Sequence, residues 1–233
     1  MAEPLPILLI PGLLCTPELY AAQVAPLWRF GPVMVADHTR DDSMGAIAAR
    51  VLASAPPRFV LMGLSMGGYA ALEIMRQAPG RVARLALIDT QAHPDTPEQS
   101  ERRRGQMAMV REGRLDEVAD QLYPLMVAPA RHGDESLKGV WRRMAADTGA
   151  DAFVRQQTAI MGRVDSRPSL ASIACPTLIV VGDEDGLTPP DRARVMADAI
   201  SGARLANIAQ SGHLSPLEQP NAVSEVLTAW LEG

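Results

Sequence analysis

A chain of 233 residues that is 47% hydrophobic and 21% charged suits one folded domain, or one domain with an insertion, and is long enough to bury a full apolar core. Its net charge of -5 gives no electrostatic attraction to nucleic acid or to an anionic membrane. Two cysteines, Cys15 and Cys175, are too few and too far apart for a disulfide framework or a metal site, and they read as buried free thiols.

The first residues, Met1 to Pro4, lack a basic stretch, and the apolar run from Ile7 is cut by Pro11-Gly12. This argues against a secretory signal or a membrane span and leads to a cytoplasmic expectation. Pro6 to Ile10 reads as a short buried strand because it is a continuous apolar run ended by Pro-Gly. After the loop Pro11 to Cys15, Thr16-Pro17-Glu18 opens a helix with threonine as N-cap and proline at the first helical position. Pro32 to Ala36 is a second strand. Asp42 or Ser43 then caps a helix whose apolar residues Met44, Ile47, Ala48, Val51 and Leu52 recur at helical spacing.

The chain is organised around a third strand, Phe59 to Met62, which runs into Gly63-Leu64-Ser65-Met66-Gly67 and a small-residue helix to about Gln77. A serine oxygen can attack a carbonyl only if it stands clear of the backbone, and a sharp strand-to-helix turn presents it that way. Such a turn strains the serine and brings two backbones together, so Gly63 and Gly67 must lack side chains, while Gly68, Ala70 and Ala71 keep the helix thin. Its N-terminus also aims free N–H groups and a positive dipole end at the site.

Val82 to Ile88 makes a fourth strand, ending in Asp89-Thr90. Strand and helix alternate up to this point, which predicts a parallel sheet covered on both faces. From 91 to 168 there is no strand signal, only helical stretches over Pro97 to Arg111, Leu115 to Met126, Glu135 to Ala146 and Asp151 to Met161. We expect an inserted helical cap here, with Met107, Met109, Met126, Met144 and Met161 as core filler or as an adaptable apolar roof. The core comprises 1–90 and 169–233. It resumes with a strand at Pro176 to Val181, a loop Gly182 to Leu187, a helix capped by Thr188, a last strand near Arg204 to Ile208, the run Gln210 to Leu214, and a closing amphipathic helix with Val223, Val226, Leu227, Trp230 and Leu231.

Ser65, Asp185 and His213 therefore follow successive strands, and in an open parallel sheet those loops gather at the carboxyl edge where ligands bind. Asp183 and Asp89 compete with Asp185 as the acid. His38, His93 and His132 read as loop or surface histidines, with His93 placed to face a substrate.

In these motifs, Gly63-Leu64-Ser65-Met66-Gly67, Gly182-x-x-Asp185 with Thr188-Pro189, and Ser211-Gly212-His213 with Glu218 and Pro220, the sequence resembles the α/β-hydrolase superfamily, particularly its small serine esterases and lactonases. The resemblance implies an α/β-hydrolase fold whose first two family strands are missing. It implies Ser65 as nucleophile, His213 as general base, Asp185 as the group orienting His213, and no metal or organic cofactor. It further implies oxyanion donors from the backbone N–H groups of Leu13 and Met66, with Pro11-Gly12 replacing the His-Gly of many members. Leu14 and Cys15 are candidates for contact with substrate. The expected activity is cleavage of a small-molecule carboxylic ester or lactone, with no nucleic-acid or membrane partner. Thioester hydrolysis or acyl transfer with the same triad, or ligand binding without turnover, are the competing readings.

Overall fold

The computed structural model describes residues 4–233. Six strands, β1 (Ile7–Ile10), β2 (Val33–Val35), β3 (Phe59–Leu64), β4 (Val82–Ile88), β5 (Thr177–Gly182) and β6 (Arg204–Ile208), form one sheet in the order β2-β1-β3-β4-β5-β6. Every adjacent pair is parallel. The helices are α1 (Ala21–Trp28), α2 (Met44–Ser54), α3 (Met66–Gln77), α4 (Pro97–Arg111), α5 (Leu115–Met126), α6 (Glu135–Thr148), α7 (Ala150–Met161), α8 (Pro190–Ala199), α9 (Ser215–Glu218) and α10 (Pro220–Glu232). Among the described residues no helix is long and apolar enough to cross a membrane.

Continuous apolar runs become central strands because both faces of the sheet are covered, and β1, β3 and β5 are buried at every position. The chain steps from β1 outward to β2, then returns across β1 to β3 and continues in the other direction. With right-handed crossovers this reversal puts α1 on one face and α2, α3 and α8 on the other. Helix α1 accordingly packs on α10, and α2 on α3. The reversal lies between β1 and β3, so the loops after these two strands, carrying Leu13 and Ser65, open the crevice at the carboxyl edge.

Sequence expectations and structure part company at a few ends. β3 runs two residues further than Met62, through Gly63 and Leu64, both paired to β4. Ser43, rather than Asp42, caps α2 by accepting from Ala46 N–H. Thr16 does cap, but it opens a single 3-10 turn, Pro17–Tyr20, ahead of α1. Thr188 does not cap α8, whose N-cap is Pro189, because its hydroxyl is spent on the Asp185 carboxylate. Residues 91–168 hold α4 to α7 and no strand, matching the sequence pattern.

Contact between α3 and the sheet is very close. A Cβ on Gly63 would overlap the Gly67 carbonyl, and one on Gly67 would overlap the carbonyl oxygens of Ile10 and Pro11. Backbone cannot move aside as a side chain can. Gly67→Ala is expected to destabilise the protein by about 3 kcal/mol, a fall in Tm of roughly 6–12 °C. Gly80→Ala, where the added carbon meets nothing within 4 Å, should stay within about 2 °C of wild type in the same melts.

Candidate active site

Ser65 sits at the strand-to-helix turn with φ 53° and ψ -115°, a backbone conformation that costs a non-glycine residue of order 1–3 kcal/mol. Hydrogen bonds to its backbone hold it there, among them one from Tyr69 N–H to its carbonyl at 3.2 Å. Its N–H donates to Ile88 O at 2.9 Å, and its carbonyl accepts from Gly68 N–H at 2.9 Å and from the Thr90 hydroxyl at 2.7 Å. The other non-glycine residues with positive φ are Leu14, Asp89 and Gln210, which follow β1, β4 and β6. Backbone strain among the described residues is therefore gathered at the carboxyl edge of the sheet.

His213 and Asp185 meet Ser65 in one hydrogen-bonded line. His213 Nε2 lies 2.7 Å from Ser65 Oγ, and His213 Nδ1 lies 2.8 Å from Asp185 Oδ2. A carboxylate only accepts, so Nδ1 carries the proton and Nε2 is left to accept from the serine hydroxyl. Asp185 is saturated: Oδ1 takes the N–H groups of Leu187 and Thr188 at 2.8 and 2.9 Å, and Oδ2 takes His213 and the Thr188 hydroxyl at 2.7 Å. Burial works to raise the Asp185 carboxyl, but the His213 charge and these hydrogen bonds outweigh it and hold it below the usual carboxylate range. For His213, burial works to lower the imidazole, and the Asp185 charge and hydrogen bond overcome it, leaving it above its ordinary value.

The competing residues have other work. Asp183 is exposed and accepts from Ser211 N–H. Asp89 is fully buried and receives Gly182 N–H, Ser215 N–H and the Ser215 hydroxyl, so it ties the β5 end to the segment just after His213. Burial and the nearby Asp185 charge push Asp89 up to about 8. Glu218 does the same for the histidine loop: its carboxylate takes the N–H groups of Gly212, Leu214 and Ala128, on either side of His213 and just beyond α5. The sequence placed Glu218 in a motif without showing this clamp, because Ala128 lies far away in the chain.

The loop after β1 is braced from behind. His38 is a loop histidine, as expected, but a buried one, and its Nε2 lies 2.9 Å from Gly12 O. Cys15 N–H donates to the same oxygen at 3.2 Å. A trans peptide holds its C=O and the next N–H on opposite sides, so anchoring Gly12 O fixes the orientation of the Leu13 N–H. Among the described residues neither Leu13 N–H nor Met66 N–H has a protein acceptor. Leu14 is fully buried, donates its N–H to Gln156 Oε1 and lines none of the cavities near Ser65, so it packs the loop instead of facing the site. Cys15 borders a small recess beside Ser65, and burial pushes its thiol up to about 12. His93 faces no part of the main cavity, and His132 is exposed.

A cavity of about 90 Å³ opens above Ser65 and His213. Leu13, Leu122, Leu125, Met126 and Ile160 supply its apolar wall. Of the five methionines considered as a roof only Met126 reaches it, while Met107 and Met144 are buried in the core.

A sharp strand-to-helix turn at a serine, a serine-histidine-aspartate hydrogen-bonded line and a six-stranded parallel sheet match an α/β-hydrolase arrangement. The chain belongs to the alpha/beta hydrolase family, which it matches over residues 7–226. A thermophilic esterase from Thermogutta terrifontis superposes with a TM-score of 0.89 at 29% identity, covering 98% of this chain and 89% of that one. The enol-lactonase of Burkholderia xenovorans shares the fold with a TM-score of 0.89 at 24% identity, covering 100% and 92%. A pimeloyl-[acyl-carrier protein] methyl ester esterase from Pectobacterium carotovorum is 24% identical over 221 residues, or 91% of this chain and 87% of that one.

The charge balance at His213 can be measured directly. By NMR its imidazole should titrate above pH 6.5, and in Asp185→Asn below it, because removing the carboxylate leaves burial as the main influence. An unchanged titration in the variant would contradict the coupling.

Proposed function

We propose that the protein is a serine hydrolase that cleaves a small carboxylic ester, or a lactone, through an acyl-enzyme on Ser65. The observation that carries this is the hydrogen-bonded line from Ser65 Oγ through His213 to Asp185 at the floor of the cavity. His213 Nε2 takes the hydroxyl proton as Oγ attacks the acyl carbon, and returns it to the leaving alcohol as the carbon–oxygen bond breaks. Water, deprotonated by the same nitrogen, then attacks the acyl-enzyme and frees Ser65. Asp185 keeps its charge and holds the imidazole in the productive tautomer. The oxyanion of each tetrahedral intermediate is received by the Leu13 and Met66 N–H groups, one such donor being worth about 2.7–4 kcal/mol of barrier. Residues 91–168 act as a helical cap that sets the shape of the pocket. Esterase and enol-lactonase names among the related structures support this reading.

Hydrolysis of p-nitrophenyl esters from acetyl to dodecanoyl tests it. Ser65→Ala should lose at least about 10³-fold in kcat/KM. The acid limb of the wild-type kcat/KM profile should lie above pH 6.5, since the base must be neutral and its pKa is raised. Ser65→Ala with near wild-type turnover would refute the assignment.

A further inference from the structure

The cavity above Ser65 has two unlike walls. Besides the leucines and Met126, α4 lines it with Gln99, Arg102, Arg103 and Gln106. Their spacing of i, i+3, i+4 and i+7 puts all four on one helix face.

Hydrogen bonds fix what this face offers. Gln99 Oε1 accepts Thr96 N–H at 2.9 Å in the capping box, so its amide nitrogen remains for a ligand. Arg103 can only donate, and it donates to Gln157 Oε1 at 2.7 Å. Gln157 must then donate through Nε2, which it does to Gln106 Oε1 at 3.0 Å, leaving the Gln106 amide nitrogen free as a donor. Every polar group on the wall thus ends in N–H.

The charges agree. Asp95 pairs with both Arg103 and Arg163 at 2.7 Å, one negative charge against two positive ones. Arg104 pairs with Glu101, but among the described residues no carboxylate lies in ion-pair range of Arg102. No described Asp or Glu lines the cavity, in a chain whose net charge is -5.

We propose that this face is an anion subsite, and that the substrate is an ester carrying a carboxylate remote from its scissile bond, held by Arg102 with Gln99 and Gln106. The inference rests on the ester-hydrolase reading above for the scissile end only. A planar carboxylate matches the guanidinium fork and the two amide donors, while the methylene chain between its two ends lies on Leu122, Leu125 and Met126.

Two readouts separate the subsite from the chemistry. The first is the ratio of kcat/KM for mono-p-nitrophenyl adipate over p-nitrophenyl hexanoate. It should exceed about 10 in wild type, fall to about 1 in Arg102→Gln, drop further in Arg102→Glu and be partly kept in Arg102→Lys. The second is calorimetric binding to Ser65→Ala, which needs no turnover. Monomethyl adipate should bind about tenfold more tightly than dimethyl adipate, and Arg102→Gln in that background should abolish the difference. No preference for the acid, or one indifferent to Arg102, would overturn the subsite while leaving an active esterase intact. An Arg102-dependent binding preference without turnover would overturn the esterase reading alone. Tighter binding of methyl 6-phosphonohexanoate than of monomethyl adipate would overturn the choice of carboxylate.

Discussion

The close approach of the first turn of α3 to the ends of β1 and β3 is the constraint on which the site depends. Gly67 lies against the carbonyls of Ile10 and Pro11, and Gly63 against Gly67 itself. Any side chain at either position would lift the helix off the sheet. With the helix seated, the chain has one residue in which to turn from strand to helix, and that residue, Ser65, is forced to positive φ with its hydroxyl directed into the crevice toward His213. The same approach brings the Pro11–Leu13 loop beside the serine, where Gly12 and Leu13 share a recess with it.

The partners of Ser65 arrive from two other strands, and buried carboxylates hold them in place. Asp89 joins the end of β5 to the start of α9, and Glu218 encloses His213 by taking the N–H groups on both sides of it. Each satisfies backbone donors that burial would otherwise leave unpaired, at a cost of about 1–3 kcal/mol apiece. Burial raises both acids, whereas Asp185, equally hidden, is lowered because His213 and Thr188 supply charge and donors to it. Similar side chains are therefore shifted in opposite directions by their neighbours.

Much of this layout was legible in the sequence. Apolar runs mark β1 and β3 to β5 because buried parallel strands need little polar face, the edge strand β6 mixes Arg204 and Asn207 with apolar residues, and Ser65, Asp185 and His213 stand out because each follows a strand. What remained hidden depends on residues distant in the chain. His38 meets Gly12 across 26 positions, and Glu218 meets Ala128 across 90, with no local pattern to announce either contact. Periodicity gave the extent of α4 but not its orientation: a stripe of Gln99, Arg102, Arg103 and Gln106 looks like any solvated face until the fold turns it toward the serine. Methionines drew attention to an apolar roof for the same reason, since composition says what could pack and not where it does.

The central claim is that Ser65 is an activated nucleophile, and covalent labelling tests it most directly. Incubation of the native protein with a fluorophosphonate, with intact mass measurement and peptide mapping afterwards, should yield one adduct, on Ser65, absent from Ser65→Ala and formed far more slowly by His213→Ala. A correctly folded wild type that takes no label, or takes it at another serine, would contradict the account.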